Sequence, residues 1–273
     1  MLSLRGDGYT FAMSHIEHHK PGSFCWNELS TTDQNAAKEF YSSLFGWAVK
    51  DEPMGPGDFY TSFHIGGQEV GAACTLNPDL RAAGVPPNWK LYIAVESADA
   101  VTERAAKAGG KLLAPAFDVM DIGRMAVIQD PTGAVFSVWQ ARKNTGFQLT
   151  GEPGTHCWAD LNTPDPARAR QFYTDVFGWS FVEDTSTGYL RIQNGTDFIG
   201  GVPPVSPENP RIPAHWLSYI LVADCDATAA KAKKLGAGIC LEPTIMEKIG
   251  RVAILDDPQG AAFALYQAWP VKA

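Results

Sequence analysis

The stretch GSFCWNELSTTDQNAAKEFYSSLFGW, residues 22–47, returns later in the chain as GTHCWADLNTPDPARARQFYTDVFGW, residues 154–179. The two copies share 12 of 26 residues at an offset of 132. A second pair follows in the same order, GRMAVIQDPTGAVFSVWQA at 123–141 and GRVAILDDPQGAAFALYQA at 250–268, with 10 of 19 residues identical. Two matching blocks in one order indicate an internal duplication, and a duplication constrains the architecture of the whole chain.

Each copy carries the signals of a strand followed by a helix. Residues 24–29 are apolar and β-favouring, which predicts a strand. Apolar residues then recur at helical spacing up to Gly46, and glycine favours the left-handed conformation found at helix ends. Short strands follow, and the order begins again with a strand at 89–95 and a helix at 100–108. Each copy is therefore predicted to be β-α-β-β-β twice.

The repeat boundaries divide the chain into a leader (1–21), a first domain (22–141), a linker (142–153) and a second domain (154–269). The expected fold class is α+β, a tandem duplication of paired βαβββ modules. Its four modules form two curved mixed sheets, each with helices on one face. The 273 residues suit this division, because single domains commonly hold about 100–150 residues.

Composition excludes several classes of partner. The formal net charge is −8 and no basic cluster is present, which argues against nucleic acid and against an anionic membrane. No apolar run approaches the length of a membrane span. The five cysteines include no C-x-x-C pair, so a reducing compartment is favoured. We expect a cytoplasmic protein, monomer or homodimer, whose partner is a small-molecule ligand.

The module order is accompanied by two repeated motifs. F-Y-x-x-x-F-G-W ends the first helix of each copy, at 40–47 and 172–179, and a D-P-x-G turn precedes each last strand. Together they resemble the vicinal oxygen chelate superfamily, which holds glyoxalase I, bleomycin- and fosfomycin-resistance proteins and extradiol dioxygenases. The opening C-W-x-[ED]-L-x-T is similar to that of two-domain glyoxalase-like proteins of actinobacteria, described as antigens or hydroxylases. The resemblance covers residues 22–269, and it specifies a fold more closely than a chemistry.

The resemblance implies a divalent metal at the base of each cup-shaped sheet, bound by His, Glu or Gln. In this sequence the corresponding positions hold Trp26, Lys90 and Ser137 in the first copy and Trp158, Leu217 and Ala264 in the second. None of these side chains is a good ligand for a hard or borderline metal. We therefore expect no cofactor, with a divalent metal as the alternative.

Strand alternation predicts which side chains face the cups, because residues two apart share a face. The predicted inward set is Trp26, Glu28, Tyr92, Ser137 and Trp139 in the first copy, and His156, Trp158, Asp160, Tyr219 and Tyr266, with His215 as a further candidate, in the second. Aromatic walls around one carboxylate suit a pocket for a flat or apolar ligand. The alternative is that these rings fill the cup as core.

Charged and imidazole side chains supply further candidates. Arg124 and Arg251 occupy equivalent positions as partners for the two carboxylates, either in a structural ion pair or as anion-binding groups. His156 and His215 are weak candidates for a metal site with Asp160 in the second copy alone. His64 of the first copy aligns with an arginine of the second.

Two functions of different classes remain open. The favoured hypothesis is a protein that binds a small hydrophobic or aromatic compound without the usual metal. The alternative is an enzyme of lyase, hydroxylase or dioxygenase type. It would use Glu28 or Asp160 as a general base, since burial in an apolar cup raises a carboxyl pKa, or a non-standard metal site.

Overall fold

Two eight-stranded mixed sheets, one from each copy, form the frame of the computed structural model. The structure describes residues 2–4, 9–11, 14–55, 58–205, 213–247 and 249–269. Part of the predicted leader lies outside these residues. The two sheets confirm the predicted α+β fold of paired modules.

Sheet one belongs to the first copy. Its strands are β4 (Phe24–Thr31), β5 (Ala48–Gly55), β6 (Asp58–Ile65), β7 (Gln68–Thr75), β8 (Asn88–Ala94), β9 (Lys111–Val119), β10 (Gly123–Gln129) and β11 (Val135–Ala141). Three short strands precede it: β1 (Leu2–Leu4), β2 (Tyr9–Phe11) and β3 (Ser14–His15). The order across the sheet is β5-β6-β7-β4-β8-β11-β10-β9. The first strands of the two modules, β4 and β8, therefore meet antiparallel at its centre.

Sheet two repeats this order in the second copy. After the short strand β12 (Leu149–Thr150), its strands are β13 (His156–Asn162), β14 (Ser180–Asp184), β15 (Tyr189–Asn194), β16 (Asp197–Val202), β17 (His215–Leu221), β18 (Gly238–Met246), β19 (Gly250–Asp256) and β20 (Ala262–Ala268). The order is β14-β15-β16-β13-β17-β20-β19-β18. In both sheets the parallel pairs join the first and last strands of one module.

The first helix of each copy begins and ends where the sequence signals predict, and the helix predicted at 100–108 is observed at Ala98–Lys107. The helices are α1 (Gln34–Phe45), α2 (Pro78–Ala82), α3 (Ala98–Lys107), α4 (Pro166–Phe177) and α5 (Cys225–Lys234). Asp33 caps α1 by accepting from the Ala36 backbone amide at 3.0 Å. Gly46 ends the helix with φ of 74°, in the left-handed region that favours glycine. The short α2 was not predicted and lies in a proline-rich connection between modules.

The helices lie between the two sheets, and the copies share their cores. One buried cluster joins α3 of the first copy to α4 of the second, and another joins α1 to α5. The cup faces of the sheets carry two separate clusters on the opposite sides. Apolar burial therefore holds the two copies together as well as each copy by itself.

The repeated motifs contact one another across this interface. The Tyr41 hydroxyl donates to Asp257 of the second D-P-x-G turn at 2.9 Å and accepts from the Trp89 indole. Tyr173 donates to Asp130 of the first turn at 3.0 Å. Hydrogen bonds to a buried carboxylate are among the stronger ones in proteins. The F-Y-x-x-x-F-G-W and D-P-x-G motifs thus fasten each copy to the other.

Candidate functional site

Cup one is the concave face of sheet one, and its centre is Glu28 on β4. The Tyr60 hydroxyl donates to Glu28 Oε2 at 3.1 Å, and Lys90 Nζ lies 3.1 Å from Oε1. The Trp26 indole donates to the Tyr60 oxygen at 3.2 Å. Tyr92 lies beside this carboxylate, and burial together with the charge of Glu28 raises the pKa of Tyr92 well above its usual value. One carboxylate therefore organises two tyrosines, a tryptophan and a lysine.

Cup two is the concave face of sheet two and repeats this arrangement around Asp160 on β13. The hydroxyls of Tyr189 and Tyr219 and the Trp158 indole all donate to its carboxylate, the latter two at 2.7 and 3.0 Å. The indole also contacts the Tyr189 oxygen at 2.9 Å. We call the Trp–Tyr–carboxylate–Tyr groups Trp26/Tyr60/Glu28/Tyr92 and Trp158/Tyr189/Asp160/Tyr219 the cup clusters.

Burial sets the protonation of these groups. Desolvation raises the pKa of Asp160, against the opposing effect of its three hydrogen-bond donors. Burial and the nearby carboxylate raise the pKa values of Tyr189 and Tyr219 well above the usual range, so both remain neutral donors. Burial lowers the pKa of Lys90, but Glu28 outweighs this effect and the net shift is upward.

Three further predicted cup residues lie on the concave faces, Ser137 and Trp139 in cup one and Tyr266 in cup two. Ser137 is 2% exposed and pairs with Tyr92 across the sheet. Trp139 donates to the Asn144 carbonyl at 2.9 Å, and Tyr266 donates to the Ile249 carbonyl at 2.7 Å. These contacts anchor both rings on the protein itself.

The two arginines predicted as partners of the carboxylates lie elsewhere. Arg124 binds Asp99 of α3 at 2.8 Å and Asp118 at 3.0 Å, and Arg251 binds Asp226 of α5 at 2.7 Å. The predicted pairing is wrong because each arginine lies one residue out of phase with the cup face of its strand. Arg124 and Arg251 are ion-pair residues on the helix side of the sheets.

The inward placement predicted for His156 is wrong, and the weak metal candidates His156 and His215 do not form a metal-holding group with Asp160 among the described residues. A bulge between His156 and Trp158 breaks the alternation and moves His156 to the helix side. Its Nδ1 lies 2.9 Å from the Ser218 hydroxyl, and burial lowers its pKa to about 3. His215 lies at the other end of β17, opposite Asn162. It is five residues, about 16 Å along the strand, from Ile220, the cross-strand partner of His156.

Sequence alternation alone missed Tyr60 and Tyr189. Both lie on the third strand of the first module, where no inward set was assigned. The signal that identifies them is their equivalence in the repeat, at an offset of 129. The strand register also shows that Ser62, and not His64, is the residue equivalent to Arg191. Arg191 lies opposite Gly201, and Ser62 lies opposite Ala72 at the equivalent position of the first copy.

The model of the Glyoxalase/Bleomycin resistance protein/Dioxygenase superfamily matches residues 14–138 and 155–265. The chain belongs to this superfamily. The family resemblance of the sequence motifs is thereby confirmed.

Curated relatives of the chain cover nearly its full length. "Putative glyoxylase CFP32" of Mycobacterium tuberculosis is 41% identical over 262 residues, 94% of this chain and 99% of the relative. "Anthracycline biosynthesis protein DnrV" of Streptomyces peucetius is 34% identical over 263 residues, 90% of this chain and 94% of the relative. These proteins share the tandem organisation over almost their whole sequences.

Solved structures with the same fold are more distant in sequence. The Mn(II)-bound glyoxalase from Novosphingobium aromaticivorans aligns with a TM-score of 0.64 at 16% identity, covering 91% of this chain and 82% of its own. The 2,3-dioxygenase LapB from Pseudomonas sp. KL28 aligns with a TM-score of 0.63 at 12% identity, covering 91% and 93%. At these identities the similarity shows the fold alone.

The residues at the superfamily's metal positions do not fit a divalent metal. Trp26 and Trp158 belong to the cup clusters, and Lys90 is paired with Glu28. Leu217 and Ala264 are buried in the apolar cluster of cup two. An indole, an ammonium and alkyl groups supply no lone pairs for a metal. Within the part of the chain that the structure describes, no three His, Cys, Asp or Glu side chains are grouped to hold a metal.

None of the described helices is long and apolar enough to cross a membrane.

Proposed function

We propose that this protein binds a flat aromatic compound in its cups and that it does so without a divalent metal at the usual superfamily positions. The observation that carries the proposal is the pair of cup clusters. Where the superfamily has metal ligands, each cup has an indole and hydrogen-bonded tyrosines around one carboxylate. Ring faces and a few fixed polar groups are the components of a site for planar ligands.

The exposure of the rings supports an occupant in cup two. Trp158 and Tyr189 are only partly buried, although their polar atoms are bonded to each other and to Asp160. A ring whose polar end is already satisfied offers its faces for stacking. The network also fixes the orientation of the rings, which reduces the entropy that ligand binding would otherwise cost.

The names of two relatives are consistent with a polycyclic ligand. The proteins DnrV and DauV, of Streptomyces species, are both named anthracycline biosynthesis proteins. Anthracyclines contain fused planar rings. We infer that a fused-ring compound is the class of ligand to test first.

A second candidate function, general-base catalysis, rests on Asp160. Its raised pKa brings a buried carboxyl closer to the range of a useful base. Its geometry favours binding instead, because three donors already occupy the carboxylate oxygens. A substrate proton would have to displace one of those donors.

The proposal is tested by titrating the protein with doxorubicin, a fused-ring anthracycline, and following tryptophan fluorescence. We expect saturable binding that survives EDTA treatment, in protein with less than stoichiometric Ni, Zn, Fe or Mn by elemental analysis. Trp158→Ala should weaken binding at least tenfold, which corresponds to about 1.4 kcal/mol. Trp158→Phe, which keeps a ring, should weaken it less.

Two results would contradict the proposal. One is binding that disappears with EDTA and returns with a stoichiometric metal. The other is unchanged doxorubicin affinity in a folded double variant that carries both Trp26→Ala and Trp158→Ala, which would place the ligand outside both cups.

A further inference from the structure

Arg191 is a cationic side chain on the concave face of sheet two. It lies on β15 between Leu190 and Ile192, and both of those neighbours pack into the core on the helix side. Alternation along the strand therefore turns Arg191 toward cup two. Tyr189, two residues earlier on the same face, belongs to the cup cluster.

This arginine has no anionic partner among the residues that the structure describes. None of the observed ion pairs includes it, and its Nε is buried without a hydrogen-bond acceptor. The guanidinium lies 4.7 Å from the centre of the Phe198 ring, which supports it from one side. A buried donor without an acceptor is unusual in a folded protein, and it points to a group that is supplied from outside.

Only cup two has a positive charge at the position of Arg191. The equivalent position in cup one is Ser62, whose hydroxyl lies 2.9 Å from His64 Nε2. The lysine of cup one, Lys90, is paired with Glu28, and its equivalent in cup two is Leu217. The cation of cup one, Lys90, is therefore neutralised by Glu28. The cation of cup two, Arg191, has no paired anion among the described residues and can bind one from a ligand.

Arg191 is not among the hydrogen-bond donors of Asp160, which are Trp158, Tyr189 and Tyr219. Arg191 lies opposite Gly201, and Gly201 lies opposite Asp160, so the two charged residues are two strands apart. This spacing is about 10 Å between backbones. It is comparable to the length of two or three fused aromatic rings.

We propose that Arg191 binds the acidic group of the ligand of cup two, and that this ligand is an aromatic compound bearing a carboxylate or a similar anion. The inference rests on the proposed aromatic-binding function and adds the charge of the ligand to it. The ring system lies toward Trp158 and Tyr189, and the acidic group receives the guanidinium donors. Arg–carboxylate hydrogen bonds are short and directional, so they select for charge and for orientation.

The test compares 2-naphthoate with its neutral methyl ester, using quenching of tryptophan fluorescence. We expect the wild-type protein to bind both compounds and to prefer the anion. Arg191→Gln should weaken naphthoate binding roughly tenfold or more and leave ester binding within about twofold. Arg191→Lys should retain part of the preference for the anion.

Arg170→Gln is the matched control. Arg170 also lies over a phenylalanine ring, 5.9 Å from the centre of Phe181, but it belongs to α4 on the helix side. Its substitution should leave the affinities for both compounds unchanged. Thermal unfolding of each variant verifies that the fold is retained.

The outcomes separate this inference from the proposed function. Equal weakening of both compounds in Arg191→Gln, unchanged naphthoate binding, or no binding of naphthoate to the wild type would overturn the anion site. If the ester binds and the affinity for naphthoate does not depend on Arg191, the anion site is contradicted but the proposed aromatic-binding function is still supported. Arg191-dependent naphthoate binding without ester binding would support the anion site and contradict a cup that takes neutral rings.

Discussion

The two cups contain the same types of side chain, but they stabilise their carboxylates differently. In cup one Glu28 is paired with Lys90, and its side chain is 12% exposed. In cup two Asp160 is 6% exposed and has hydrogen-bond donors but no paired cation among the described residues, because Leu217 takes the place of the lysine. The two copies therefore share the cluster, but only the carboxylate of cup one is paired with a cation.

A second difference explains how Asp160, which is shorter than Glu28, can still accept a hydrogen bond from Tyr189. Tyr189 lies across Gly201, and a Cβ at that position would overlap the Tyr189 hydroxyl. In cup one the longer Glu28 reaches its own tyrosine, and Ala72 is tolerated at the equivalent position. The changes Glu to Asp and Ala to Gly are therefore coupled through the position of one ring.

The largest expected effect concerns the tryptophans. Trp26 is 7% exposed, whereas Trp158 is only partly buried. Trp26→Ala should lower the free energy of unfolding by ~3–5 kcal/mol, as expected for a packed ring, and Trp158→Ala by ~1–3 kcal/mol. Chemical denaturation of both variants measures the difference. Equal losses in both copies would show that cup two is as fully packed as cup one.

A smaller effect is expected at the glycine of cup two. Gly201→Ala should lower the free energy of unfolding by ~2–3 kcal/mol, because the added methyl displaces Tyr189. In a Tyr189→Ala background the same substitution should cost about 1 kcal/mol or less. Ala72→Gly, at the equivalent position of cup one, serves as the control. Additivity of Gly201→Ala and Tyr189→Ala in a double-mutant cycle would contradict the coupling.

The smallest effect is expected for the lysine of cup one. A double-mutant cycle of Lys90→Met and Glu28→Gln should give a coupling of about 1 kcal/mol, since Lys90 remains 31% exposed and solvent screens the pair. The coupling should decrease with added salt. Leu217→Lys, together with Asp160→Glu, would build the same pair in cup two. A coupling of zero in cup one would mean that the tyrosines alone hold Glu28.

The repeats and helix signals of the sequence are sufficient to predict the modules. Glycines at helix ends, cap residues and apolar spacing are local properties, and they predicted the modules correctly. The assignment of faces failed at His156, because one extra residue in a bulge reverses the parity of everything before it. The pairing predicted for Arg124 and Arg251 failed because both lie out of phase with the cup face of their strands, where they bind Asp99 and Asp226 on the helix side.

The sequence by itself determined that this protein has four related modules in two sheets, with an aromatic and carboxylate character on the cup strands. Only the tertiary structure decided that Tyr41 and Tyr173 fasten one copy to the other. It also decided that Tyr60 and Tyr189 complete the cup clusters, and that Arg191 has no ionic partner among the described residues. Periodicity is encoded within a few residues, whereas partnership depends on segments that meet only when the chain folds.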